Sequence, residues 1–268
     1  PTGLDAIMLT WRIFGSSGLK DWDNGLVTQA FTRAAPDGFR KGWGAKTLFR
    51  PFEGMKLGIH RPQVARPGQN PQMVKRLLDQ VWINGSGQEL PEEVKRSAWR
   101  STEATIGYDL VEVNHYAVRS RESYLLRQLR GNVNNKANKY DHGYFAIFDR
   151  NETKITTISR HASALRVEMD RMHVDAELFK LLNDSRAFHG GQLAQLKKAG
   201  VYEAAMEALE AAAAVPYERL DDVLLTGHLP KVWRERIAEM QRQGVADKDL
   251  AQFIARGIAA YEARKKPD

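Results

Sequence analysis

Residues 109–131, DLVEVNHYAVRSRESYLLRQLRG, read as a buried strand running straight into an amphipathic helix. Leu110, Val111 and Val113 supply the β-type run. Asn114, His115 and Tyr116 fall where the strand ends, and Arg119, Ser120 and Glu122 open the helix. Tyr124, Leu125, Leu126 and Leu129 mark one side of that helix, Arg127 and Arg130 the other, and Gly131 is set to stop it. A strand feeding a helix is the unit of an open α/β sheet, and such sheets collect ligands at the carboxyl ends of their strands. The segment therefore brings an amide, an imidazole and a guanidinium around one crevice.

The wider composition sets the class. With 268 residues and 43% hydrophobic content, the chain can bury a sizeable core as one large or two small domains. No apolar run reaches the roughly eighteen residues of a spanning helix, and the opening residues lack a signal-peptide layout. The absence of cysteine excludes disulfides and thiolate metal sites. These features point to a soluble cytoplasmic protein. A net charge of +7 favours acidic partners: nucleic acid, anionic lipid surfaces or phosphate-bearing small molecules. Part of the excess is local, since Arg119, Arg121, Arg127, Arg130, Lys136 and Lys139 are opposed in their window only by Glu122. A solvated helix face and an anion-binding surface both fit that window.

Upstream, LDAIMLTWRIF (4–14) alternates Ile7, Leu9, Trp11 and Ile13 with Met8, Thr10 and Arg12, as a strand does, and GSSG (15–18) breaks it. That turn either wraps a sugar or phosphate with the hydroxyls of Ser16 and Ser17, or only connects. Asp21 and Asp23 then flank Trp22. An indole between carboxylates suits a sugar ring, whose C–H face stacks on the aromatic while its hydroxyls donate to the acids; a solvent-facing turn fits as well. KTLFRP (46–51) and KLGIHRP (56–62) read as two short strands, each ended by proline, which sets Arg50, His60 and Arg61 at a rim. Residues 63–108 are irregular and read as loops that could cover a site.

Downstream, residues 132–143 are rich in asparagine, and from Ile158 the chain turns helical. Ala164, Leu165, Val167, Met169, Met172, Val174, Leu178, Leu181 and Leu182 are spaced for a buried stripe. After Gly190-Gly191 an alanine-rich composition sets in, and 191–268 reads as an all-helical region that docks, oligomerises or meets a membrane surface. Its helices are mixed in charge, which favours packing against protein.

HYAVRSRESYLLRQLRG (115–131), together with DAIMLTWRIFGSSG (5–18), KTLFRP and GIHRP (58–62) in the same order, resembles a bacterial branch of the family 2-like glycosyltransferases of GT-A type. The resemblance implies an α/β fold: residues 1–190 as the acceptor-side part of a GT-A-like mixed sheet with flanking helices, then 191–268 as a helical C-terminal region. It implies inverting, metal-dependent transfer of a sugar from a nucleotide-sugar donor to a glycan or lipid-linked acceptor, as in polysaccharide biosynthesis. In that frame His115 completes the coordination of a Mn²⁺ or Mg²⁺ ion that offsets the charge of the leaving diphosphate, and Arg119 bridges the same phosphates. Trp11, Ser16, Ser17, Trp22, Arg50, His60, Asn114, Arg119 and Ser120 become substrate-binding positions. Inversion needs a carboxylate to deprotonate the acceptor hydroxyl; Asp21 and Asp23 are the candidates, with Glu122 behind them. The chain opens on Pro1, and the first βαβ unit with its acidic metal motif would precede it. Such a protein works in the cytoplasm, peripherally at the inner membrane, with its C-terminal helices free for a protein partner.

A different class competes. A basic nucleic-acid-binding protein without catalytic activity accounts for the charge, the six tryptophans and the arginine-rich helix that carries Tyr124. No RNA or DNA module is recognisable in the chain, and it holds no GxSxG elbow, P-loop or GxGxxG.

Overall fold

β1 (Ala6–Phe14) is the strand on which the others are laid. The computed structural model describes residues 3–22, 24–63, 70–131, 140–214 and 231–243. Along one edge β1 pairs antiparallel with β3 (Ala45–Phe49) and, at its last residue, with β2 (Arg33–Ala34). Along the other edge it pairs in parallel with β6 (Trp82–Asn84) over its first half and with β7 (Val113–Tyr116) over its second. β8 (Thr153–Lys154) extends beyond β2, so six strands make one mixed sheet among the described residues. β4 (Lys56–Leu57) and β5 (Pro62–Gln63) form a separate antiparallel hairpin.

The two faces of β1 are buried unequally. Ala6, Met8, Thr10, Arg12 and Phe14 are all buried on one face, whereas on the other Ile7, Leu9 and Trp11 are half-buried and Ile13, near the end of the strand, is buried. Ala6 and Met8 pack with Ala45, Leu77, Trp82, Leu90 and Val94, and each large apolar side chain so buried contributes roughly 1.5–3 kcal/mol. Thr10 meets Ser101, hydroxyl to hydroxyl, at 2.7 Å. Arg12 is paired with Asp37 and Glu112 and lies 3.9 Å above the Tyr108 ring.

Helices begin where their caps allow. Asn70 accepts the N–H of Met73 ahead of α2 (Pro71–Leu78), with Pro71 at the first helical position. Acids Glu92 and Glu93 open α3 (Glu92–Ser97). The Ser120 hydroxyl accepts the N–H of Ser123 at 3.2 Å to start α4 (Arg121–Arg130), which Gly131 ends at φ +73°. Asp175 caps α7 (Ala176–Lys198) through the N–H groups of Glu177 and Leu178.

Two compact units divide the chain, residues 1–130 with 148–202, and residues 131–147 with 203–268. The first is the mixed α/β unit just described. The second is helical in its described part: Phe145 and Ala146 are buried in the helix His142–Phe148, Met206 and Leu209 in the helix Tyr202–Ala213, and Ile237 in the helix Lys231–Arg242.

Several sequence expectations change here. The strand predicted from Leu110 begins only at Val113, and Asn114, His115 and Tyr116 lie within it, opposite Arg12, Ile13 and Phe14. Leu110 is 72% exposed, because its N–H and that of Val111 are drawn to the Gly85 carbonyl after β6 and not to a ladder. KTLFRP is a strand as predicted, but KLGIHRP folds back on itself as the β4–β5 hairpin. The stripe predicted across 164–182 is not core: α6 (Ala162–His173) buries no residue and Met172, Val174, Leu178 and Leu181 are exposed, since α6 packs chiefly on α7 and the turn before it. Finally, α7 runs unbroken through Gly190-Gly191 to Lys198.

Candidate functional site

Because β1 and β7 are parallel and in register up to Phe14 and Tyr116, both chains leave the sheet at the same edge. The segment after β1 turns through residues 15–18 with no room to spare: a Cβ on Gly15 would stand 2.5 Å from the Arg150 carbonyl. Here the two serines serve the protein's own backbone. The Ser16 and Ser17 N–H groups donate to Asp149 and Asn151 at 2.6 Å each, and the Ser17 hydroxyl accepts from Thr32 and Arg33. These bonds hold the turn at residues 15–18 through the backbone N–H groups of Ser16 and Ser17 and the hydroxyl oxygen of Ser17.

The chain then meets the head of α4. Arg121 and Glu122 donate their N–H groups to the carbonyls of Leu19 and Lys20 at 3.2 and 3.0 Å. Glu122, buried, accepts the Trp22 N–H at 2.8 Å, the Tyr202 hydroxyl at 2.6 Å and the Lys197 ammonium at 3.0 Å. Burial alone would raise its pKa, but these three donors hold it below the ordinary carboxylate value. A carboxylate so occupied is a weaker proton acceptor than an ordinary one.

Between these elements and α7 opens a cleft of about 590 Å³, within the usual range for ligand sites. Trp22, Tyr116, Arg119, Arg127, Arg130, Arg186 and His189 line it, and no described lining residue is acidic. Arg127 donates to the Ala117 carbonyl. Arg119, Arg130 and Arg186 have no ion-pair partner among the described residues. Arg119 takes φ +59°, a left-handed conformation that costs a non-glycine residue about 1 kcal/mol or more and that gathers at functional sites. His189 lies edge-on to the Trp22 indole at 5.9 Å. The sequence predicted Trp22 and Arg119 here; it missed Arg186 and His189, whose only signal was their helical spacing from Leu182.

His115 is elsewhere. Side chains alternate across a strand, so His115 faces away from Asn114 and Tyr116 and does not line the cleft. It stacks on Trp11 with ring centroids 4.5 Å apart, and Trp11 leads on to His60 and Trp99. His115 Nδ1 and Trp11 Nε1 are buried without a hydrogen-bond partner. Burial, then the positive charges of Arg127 and Lys46, lower the His115 pKa to about 4, so the ring is neutral at pH 7. Among the described residues no three histidines or carboxylates come together as metal ligands. His60 is a structural histidine, with Nδ1 at 2.9 Å from the Ala45 carbonyl.

The remaining predicted positions scatter. Arg50 bonds Leu4 and Asp5, at the start of β1, roughly 25–30 Å of strand from the turn at residues 15–18; it shares no rim with Arg119. Ser120 is buried as the cap of α4. Asp21 is exposed, with no hydrogen bond among the described residues, and Asp23 lies outside them. Asn114 donates to the Tyr116 hydroxyl at 3.3 Å and lines a second cleft of about 560 Å³ with Arg12, Tyr108 and Glu112.

Compared with family models, with curated proteins and with solved structures, the chain matches none.

Proposed function

We propose that the chain is the acceptor-side part of a GT-A-like glycosyltransferase, and that its arginine cleft receives the diphosphate of a nucleotide-sugar donor. The observation that carries this reading is the cleft itself: four guanidiniums and an indole, without a described acid, at the carboxyl ends of two parallel strands. Planar guanidiniums bind phosphate bidentately, and fixed positive charge aimed at a leaving oxygen lowers the barrier to its departure. An acceptor hydroxyl then attacks C1 of the sugar. Its oxygen forms the new C1–O bond, its proton passes to a carboxylate, and the old bond breaks with the electron pair going to the diphosphate. Asp21, next to Trp22 in sequence, is the carboxylate this reading favours, and the Trp22 indole offers the sugar a face to stack on. In this reading the guanidiniums carry the leaving-group charge. The acceptor is a glycan or a lipid-linked saccharide.

Calorimetric titration with UDP and GDP tests the reading. Binding is expected for one of them, weakened about tenfold or more by Arg119→Ala or Arg186→Ala, the loss of a charge-assisted pair. A salt-sensitive shift of single-stranded RNA, with neither nucleotide bound, would instead make the cleft a nucleic-acid surface.

A further inference from the structure

The β4–β5 hairpin presents Leu57 and Ile59 with 79% and 82% of their surface exposed. One exposed aliphatic residue is ordinary. These two stand two residues apart on one turn, near Leu48, 64% exposed, and Trp99, 48% exposed. The turn is anchored: Thr47 donates its N–H to the His60 carbonyl at 2.9 Å, Lys46 donates to the Ile59 carbonyl at 2.6 Å, and Arg61 donates to the carbonyls of Lys95 and Arg96. Trp99 packs on His60 at 5.3 Å and carries the Arg100 guanidinium at 5.2 Å from its ring. The hairpin is therefore held at its base while its apolar side chains face water.

Charge decides what would cover them. Across residues 45–63 the bases are Lys46, Arg50, Lys56 and Arg61, and the only acid is Glu53. Aliphatic tips among cations, with an indole alongside, match the layers of an anionic bilayer: alkyl groups enter at the headgroup boundary, ammonium groups meet phosphates, and tryptophan sits at headgroup level. We propose that this hairpin docks the protein on an anionic phospholipid surface, with Leu57 and Ile59 inserted and Lys46 and Lys56 on the headgroups. The proposal does not depend on what occupies the arginine cleft.

Co-sedimentation of the full chain with vesicles of three parts phosphatidylcholine to one part phosphatidylglycerol tests it, against phosphatidylcholine alone. Binding to the mixed vesicles, weakened by salt and reduced at least tenfold in the Leu57→Asp/Ile59→Asp variant, is expected. Arg119→Ala should bind as the unaltered chain does, which separates the hairpin from the cleft; a melting curve on each variant checks that it is folded. Three results would overturn the proposal: no binding by the unaltered chain, equal binding by the hairpin variant, or a hairpin variant that loses only self-association on a sizing column.

Discussion

Glu122 accepts the backbone N–H of Trp22 at 2.8 Å, so the carboxylate at the head of α4 fixes where the indole stands at the cleft. The same carboxylate ties down Tyr202 and Lys197. Three ligands of one buried acid thus join the turn after β1, the start of α4 and the end of α7.

Removing that acid should cost stability. Glu122→Ala leaves the Trp22 N–H and the Tyr202 hydroxyl without their acceptor and should destabilise by about 2–4 kcal/mol, against about 1–2 for Glu122→Gln. The pH dependence carries a sign. Because the folded-state pKa of Glu122 lies below the unfolded value, its stabilisation is present above the ordinary carboxylate pKa and is lost as pH falls through the folded value. Urea unfolding at neutral and acid pH measures both; a Glu122→Gln chain as acid-sensitive as the unaltered one would refute the assignment.

His115 shifts stability in the same direction as Glu122, downward as pH falls, but for a different cause. Its pKa is near 4 in the folded chain and about 6.5 unfolded, so below pH 6.5 the unfolded state binds the extra proton. Stability is therefore full above about pH 6.5 and falls as pH drops toward 4, by up to about 3 kcal/mol. His115→Phe keeps a ring against Trp11 and should flatten that part of the profile. A His115 proton resonance titrating near its unfolded value would show that the ring is not buried as described.

The second cleft rests on a buried cation. Arg12 is balanced by Asp37 and Glu112, and a guanidinium left with one acid in the interior is costly. Glu112→Ala should destabilise by about 3 kcal/mol, and adding Arg12→Met to it should recover part of the loss, since the pair is then removed together. A double-mutant cycle by chemical denaturation reads this directly; strict additivity would mean that the two side chains are not coupled.

What the sequence made legible was local. The alternation of β1, a helix opening around Ser120 and its stop at Gly131 depend on residues a few positions apart and were legible, although the helix itself begins at Arg121 and Arg119 lies before it. The burial of β1 was not legible, because its apolar alternation at Ile7, Leu9 and Trp11 marks the less buried face. Thr10 and Arg12 go inside because Ser101, 91 residues away, and Glu112, 100 residues away, satisfy them. His115 and Arg119 were expected around one crevice because they are close in the chain. Four residues suffice to cross a strand end, and the alternation within β7 sends the imidazole to the opposite face.

Arg119 joins strain to charge, and the two can be separated. Its φ of +59° is one that glycine adopts freely, so Arg119→Gly should stabilise the fold by about 0.5–1 kcal/mol. It also relieves the crowding of like charges with Arg127, Arg130 and Arg186. The same change removes a guanidinium from the cleft and should weaken UDP or GDP binding about tenfold or more. Arg119→Ala should weaken binding as much but stabilise less than Arg119→Gly, because alanine relieves the same charge crowding yet still pays for the left-handed backbone. A melting curve and a titration on both variants distinguish the possibilities: higher stability with weaker binding in the glycine variant means that the protein tolerates strain at this position to hold an anion. Unchanged binding in both would leave Arg119 a surface residue with an unexplained backbone.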